Sequence, residues 1–310
     1  MKESTEGTTH FGNDSKLKVL HKDNINRFSQ IWYKSKGNKM LIIGGIITVI
    51  FVIIALLCPL FTSYDPVKMN FKERFMSPGF DHLMGTDQYG RDIFSRILFG
   101  ARTSFKVSVI AVVIGMTGGV FFGAAAGFVG GFTDNLFMRM MDALLAFPPL
   151  LLAIGLVAAM GSGLATVSIS IGVVYIPHFA RVMRSAVLAE REKEYVEAAR
   201  AIGQSNLNIM LRHIGPSTLS PIIVLATIIF ALAVIIEATL SFLGIGLPPP
   251  TPSWGTMLNE ARRYLGTSVW MAVFPGATIS LAVLGFNMLG DGLRDFLDPK
   301  VYSITGKPEV

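Results

Sequence analysis

Five stretches of the chain carry no charged side chain: Met40–Phe61, Val107–Thr133, Ala143–Pro177, Ile214–Ile236 and Tyr264–Gly290. A helix needs about 20 apolar residues to cross a bilayer, so each is long enough to span. The third, at 35 residues, would make a helix of about 52 Å against the roughly 30 Å of hydrocarbon. Gly161-Ser162-Gly163 near its middle predicts a break into two spans. The pattern therefore predicts an all-α, polytopic membrane protein with six transmembrane helices, at 40–61, 105–127, 139–160, 164–182, 216–243 and 268–291. An even count puts both termini on one side.

Two polar stretches are too long and too patterned for simple connectors: the loop 62–104 and the loop 183–215. In the first, residues 89–102 place Ile93, Phe94, Ile97 and Leu98 opposite Arg91, Asp92, Ser95 and Arg96. That spacing fits an interfacial amphipathic helix, and equally a helix leading into the second span. In the second, Leu188–Ala201 consists of strong helix formers and stops at Gly203, a suitable C′ residue. Ser205 can cap a second short helix, Asn206–His213, and Pro216 suits the start of the fifth span. Helix, glycine break and helix make a protrusion that fits a docking element for a soluble partner, and equally a solvated hairpin.

Composition sharpens this picture. Charged residues make up only 15% of the chain and the mean hydropathy is +0.54, which excludes a single soluble domain. With the N-terminus inside, 18 of the 27 Lys and Arg residues fall on inner segments, giving an N-in, C-in orientation. The first apolar run follows a 39-residue lead and has no small-residue cleavage site, so it reads as an anchor rather than a removed signal. The lead itself, cytoplasmic in this orientation, reads as partly disordered, with Lys34, Lys36 and Lys39 placed against anionic lipid. The tail 301–310 lies on the same side.

Chemistry is sparse. A single cysteine, Cys58, cannot form an internal disulfide, and no Cys/His spacing fits a metal site. No G-x-x-x-x-G-K-[ST] phosphate loop is present, so this chain has no means of hydrolysing ATP. Neither H-E-x-x-H nor G-x-S-x-G occurs, which argues against an intramembrane enzyme. A secondary carrier or channel would call for inverted repeats or several intramembrane charges, and only Glu237 stands within a span. Glu237 fits a transport pathway; it equally fits a pair with Arg102 or Lys106, or hydrogen bonds from neighbouring hydroxyls. Glycines from Gly115 to Gly131 recur at four-residue spacing, as close helix packing in lipid requires, and Pro148-Pro149 predicts a bend in the third span.

Three motifs resemble one family. Glu197-Ala198-Ala199, three residues, Gly203, nine residues, then His213-Ile214-Gly215-Pro216 is similar to the EAA loop of bacterial ABC-importer permease subunits. Gly85-Thr86-Asp87, Gly90-Arg91-Asp92, Ser95-Arg96 and Gly100-Ala101-Arg102 resemble the outer loop of the dipeptide/oligopeptide/nickel branch. Leu243-Gly244-Ile245-Gly246 with Pro252-Ser253-Trp254-Gly255, and Gly290-Asp291-Gly292-Leu293-Arg294-Asp295, look like its C-type subunit.

The resemblance implies a type I ABC importer permease fold and a non-catalytic role in moving di- or oligopeptides by alternating access. Nickel or metal chelates and glutathione are the alternatives within the same architecture. It implies no cofactor or metal on this chain and no nucleic acid. The implied partners are a B-type permease subunit forming a heterodimer, two cytoplasmic ATPases carrying ATP and Mg, an extracytoplasmic solute-binding protein, and membrane lipid. Glu197, Ala198, Ala199, Gly203, His213 and Pro216 are the implied contacts to the ATPase. Arg91, Asp92 and Arg102 join Glu237 as candidates for the translocation pathway or its gate.

Overall fold

A computed structural model describes residues 38–297. The tails on either side, Lys34 and Lys36 lie outside the described residues. Five long apolar helices cross the bundle: α1 (Lys39–Phe61), α2 (Ile93–Val129), α5 (Leu164–Arg191), α7 (Asn206–Phe242) and α9 (Trp270–Leu297). The sixth crossing is a bent pair, α3 (Gly131–Leu145) and α4 (Pro149–Met160), which meet at 89°. Among the described residues there are also two short α-helices, α6 (Glu194–Ala201) on the inner side and α8 (Trp254–Ala261) on the outer.

Several sequence expectations change. The third span is not one helix over 139–160: it breaks at Ala146–Pro148, and Pro149 restarts it at the position where a missing N–H costs nothing. The helix over 89–102 begins only at Ile93, where the Asp92 side chain accepts from the Ser95 N–H at 2.7 Å, and it runs unbroken to Val129. It is no interfacial helix, because its polar face (Ser95, Arg96) is as buried as its apolar one (Ile93, Ile97, Leu98). Leu188–Ala201 is split, since α5 keeps Leu188–Arg191 and a turn at Glu192–Lys193 starts α6. Asn206–His213 is not separate from span five either. Residues Ile209–Ile214 form a wide π turn, in which the Gly215 N–H reaches back to Met210 O, and α7 continues through it. The widened turn sits immediately before Pro216, whose ring and missing donor a regular α turn would not accommodate.

Packing follows the small residues. The broadest helix contact is α2 on α5, built on Gly115, Gly119, Gly123 and Gly127. A Cβ added to Gly119 would lie 2.3 Å from Phe179 Cβ, and one on Gly123 would lie 2.3 Å from Ala180 O. No other residue permits that approach, the packing logic of helices in lipid. Helix α1 packs along α9 by the same device, with Gly44 against Leu289 and Gly292 against Leu41. Between them sits an aromatic knot, Phe51, Phe105, Phe230, Trp254 and Phe286, with ring centroids 4.1–6.1 Å apart.

Candidate functional site

On the inner side, α6 ends in a closed turn. Gly203 N–H donates to Arg200 O at 2.9 Å and Gln204 N–H to Ala199 O at 3.1 Å, the bond pair of a Schellman cap. Gly203 takes φ +79°, a conformation that L side chains rarely adopt. His213 Nε2 meets Gln204 Oε1 at 2.8 Å, and Asn208 Nδ2 donates to the same oxygen, so the first turn of α7 is pinned to the end of α6. From the other side Lys193 Nζ bonds Glu190 Oε1 at 2.6 Å, and the Tyr195 hydroxyl also donates to Glu190. The Glu190 partnership raises the Lys193 pKa above its ordinary value. Arg191 donates to the last carbonyls of α2, Gly127 O and Phe128 O, at 3.2 and 3.4 Å.

These ties fix what the protrusion shows. Glu197, Ala198, Gly203 and Pro216 are exposed. Ala199 is not: it is buried with Val196, Ile209 and Ile214, so the alanine pair does not present one flat contact face. His213 is half-buried and occupied with Gln204. Sequence reasoning missed the exposed apolar side chains around them, Ile202 (75% exposed), Leu207 (70%) and Leu211 (64%). Their signal was an i, i+4 leucine pair in a polar loop. Leu207, Leu211 and Pro216 line an apolar groove of about 650 Å³ that continues onto Phe121 and Phe128 of α2.

On the outer side the loop motif builds a buried ionic clasp. Arg91 Nε donates to Asp87 Oδ2 at 2.6 Å and its Nη2 to Glu260 Oε2 at 2.6 Å. Arg96 Nη2 reaches the same Glu260 oxygen at 3.1 Å, and its Nη1 donates to Pro66 O. Asp92 caps α2 and its other oxygen meets His82 Nδ1 at 2.9 Å, while His82 Nε2 faces Glu73 at 3.4 Å. Gly90 holds φ +71°, and a Cβ there would sit 1.7 Å from Asn70 O. Arg91 and Asp92, expected at a pathway or its gate, are buried in this chain and committed to neighbours, as a charge out of water must be. Glu260, the fourth member with Asp87 and Arg96, went unnoticed in the sequence, although it is the one acidic residue between Glu237 and Asp291.

Helix α8 joins this clasp to the spans. Ser253 caps it through Thr256 N–H at 3.2 Å, buried Trp254 donates its indole N–H to Ile97 O at 3.1 Å, and Gly255 lies against Ala238 O. Directly below is Glu237, with 0% exposure. Its carboxylate accepts from Ser104 Oγ at 2.7 Å and from Ser241 Oγ at 2.9 Å, tying α2 to α7. It accepts hydrogen bonds from neighbouring hydroxyls and pairs with neither Arg102 nor Lys106. Those two cations lie on the exposed face of α2 and line a separate cleft of about 710 Å³ at the outer ends of α1, α2 and α5.

Comparison with known proteins agrees with this arrangement. Residues 119–303 match the family model described as binding-protein-dependent transport system inner membrane component, and residues 26–78 match the N-terminal TM domain of oligopeptide transport permease C. A dipeptide transport system permease protein of Alkalihalophilus pseudofirmus is 44% identical over 90% of this chain and 92% of its own length. A putative peptide transport system permease protein of Brucella suis is 45% identical over 84% and 87%. A glutathione transport system permease protein of Escherichia coli is 42% identical over 88% and 90%. The chain belongs to the binding-protein-dependent transport system inner membrane components, as a multi-pass permease of the bacterial inner membrane.

Proposed function

We propose that this chain is one of two permease subunits of an ATP-driven importer for short peptides, worked by separate ATPases through the α6 protrusion. The observation carrying this reading is that protrusion. It is rigidly closed on itself, it stands on the side of the bilayer richest in Lys and Arg, and it exposes Glu197 beside Ile202, Leu207 and Leu211. An exposed apolar surface rimmed by charge suits contact with a protein and gains nothing from water. Energy comes from the partners, since the chain has no phosphate loop. A binding protein delivers the solute from outside, and a B-type subunit completes the pathway.

Peptide as solute is supported by the names of two relatives, peptide permeases at 44% and 45% identity. Glutathione is the second reading, supported by the relative at 42%. Leu207→Asp and Leu211→Asp change exposed positions and leave the buried packing untouched. In the reconstituted importer each should lower solute-stimulated ATP hydrolysis about tenfold, the size of loss an interface anchor gives. Full stimulation in both variants would reject the docking role. Uptake of a labelled dipeptide, challenged with excess glutathione, decides between the two solutes.

A further inference from the structure

The outer cleft stands apart from everything the clasp and the protrusion explain. It measures about 710 Å³, within the range of small-molecule sites. Arg102 and Lys106 lie one turn apart on its α2 wall, and among the described residues neither is within ion-pair distance of a carboxylate. The contrast on the same helix is sharp: Arg96, six residues before Arg102, is buried and paired. Two like charges held four residues apart on a helix repel each other, so this pair carries a local penalty that an anion would relieve.

The loop part of the lining carries the opposite sign. Asp65 is exposed on the cleft, and only its Oδ1 is engaged, accepting from Val67 N–H at 2.8 Å. The hydroxyls of Thr103 and Thr251 add neutral hydrogen-bonding groups, and Phe99 and Pro59 supply apolar surface. Two cations, a carboxylate and neutral hydrogen-bonding groups gathered in one cleft match a molecule with an ammonium at one end and a carboxylate at the other.

We infer that this cleft is a recognition site for the free carboxylate of a short peptide on its way into the bundle, with Arg102 and Lys106 taking the carboxylate and Asp65 facing the ammonium. The inference rests on the peptide reading above. Charge-assisted bonds to a carboxylate are the strong class of hydrogen bond, and an arginine can make two at once. The rest of the cleft makes no side-chain-specific demand, so peptides of different sequence share the one feature it reads. A phospholipid headgroup would also satisfy two cations. It does not account for Asp65, or for walls built from the loops at 62–67 and 251–252 rather than from span faces alone.

The test uses the assembled importer in vesicles, with Thr103→Cys as a reporter at the cleft in a Cys58→Ser background, since the buried Cys58 adjoins Arg102. Maleimide labelling from outside is timed without peptide, with trialanine, and with trialanine amide. Trialanine should slow labelling about tenfold at saturation, the amide less than twofold, and Arg102→Gln or Lys106→Gln should remove the protection while Arg102→Lys retains part of it. Both cations are exposed, so these variants keep the fold. Equal protection by acid and amide, or protection that survives both glutamines, overturns the site. So does labelling that responds to replacing phosphatidylcholine by phosphatidylglycerol and to no peptide, which assigns the cations to headgroups. Uptake of trialanine by the unsubstituted importer is measured alongside: uptake without protection defeats this site alone, and no uptake defeats the peptide reading with it.

Discussion

The glycine ridge between α2 and α5 offers the most direct test of the bundle's architecture. Gly119→Ala puts a methyl 2.3 Å from Phe179 Cβ and 2.7 Å from Ile176 O, and Gly123→Ala puts one 2.3 Å from Ala180 O. Carbon contacts are comfortable only at about 3.5–4.0 Å, so the two helices must separate by roughly 1.2 Å or more. A forced gap of that size costs about 1–3 kcal/mol by the usual measure of overpacking. Backbone neighbours cannot rotate away as a side-chain end can.

Two controls bracket the effect. Gly118→Ala meets the flexible end of Ile176 at 3.1 Å and should cost less, while Gly155→Ala in α4 meets nothing within 4 Å and should be neutral or favourable. The chain supplies its own reporter, because Cys58 is the single cysteine and is fully buried. Heating the purified protein with a thiol-reactive dye records when it opens. At about 2–4 °C per kcal/mol, Gly119→Ala and Gly123→Ala should lower the midpoint by roughly 2–12 °C. Midpoints within a degree of Gly155→Ala for both variants would refute the close-approach argument.

Other expectations concern the two faces. Gly203→Val places a β-branched residue at φ +79° with open space around it, so strain of about 1–2 kcal/mol falls on the turn alone; solute-stimulated ATP turnover should drop while the dye midpoint holds. Glu260→Gln leaves buried Arg91 and Arg96 to share Asp87, a loss in the range of about 3–5 kcal/mol for a broken buried pair, and limited proteolysis from outside should then cut the loop at 62–92. Glu237→Ala strips both serine hydroxyls of their acceptor and should lower the dye midpoint, by about 1–3 kcal/mol for the unsatisfied groups. Glu237→Gln should be milder and should leave the range of imported solutes unchanged; an altered range would assign Glu237 a pathway role.

The spans were legible because hydrophobic length is a local property. Met40–Phe61 and the glycine spacing at Gly115–Gly127 each predict what they do without reference to the rest of the chain. The bend at Pro148-Pro149 was equally local, although its angle of 89° was not. What failed was anything that depends on residues far apart in sequence. The stretch before Ile97 has the pattern of an interfacial helix, and only the arrival of Glu260 and Trp254, both more than 150 residues later, buries its polar face. The helix over Leu188–Ala201 reads as continuous because every residue in it favours helix, whereas the chain turns at Glu192–Lys193 and α6 packs on the wide turn at Ile209–Ile214. The burial of Ala199 is no more local, because it depends on Ile209 and Ile214.

The outer clasp also imposes an order on synthesis. Arg91 and Arg96 leave the ribosome long before Glu260, which lies 169 and 164 positions further along. At about 5–20 residues per second the gap is roughly 10–30 s. During that interval two arginines and their loop stand in water on the far side of the membrane with Asp87 alone for company. Closure waits until the hairpin bearing α8 has been inserted and turned outward. A chain truncated or misinserted after α7 therefore keeps an open, hydrated outer loop, an exposed mark by which surveillance proteases can tell an unfinished copy from a finished one.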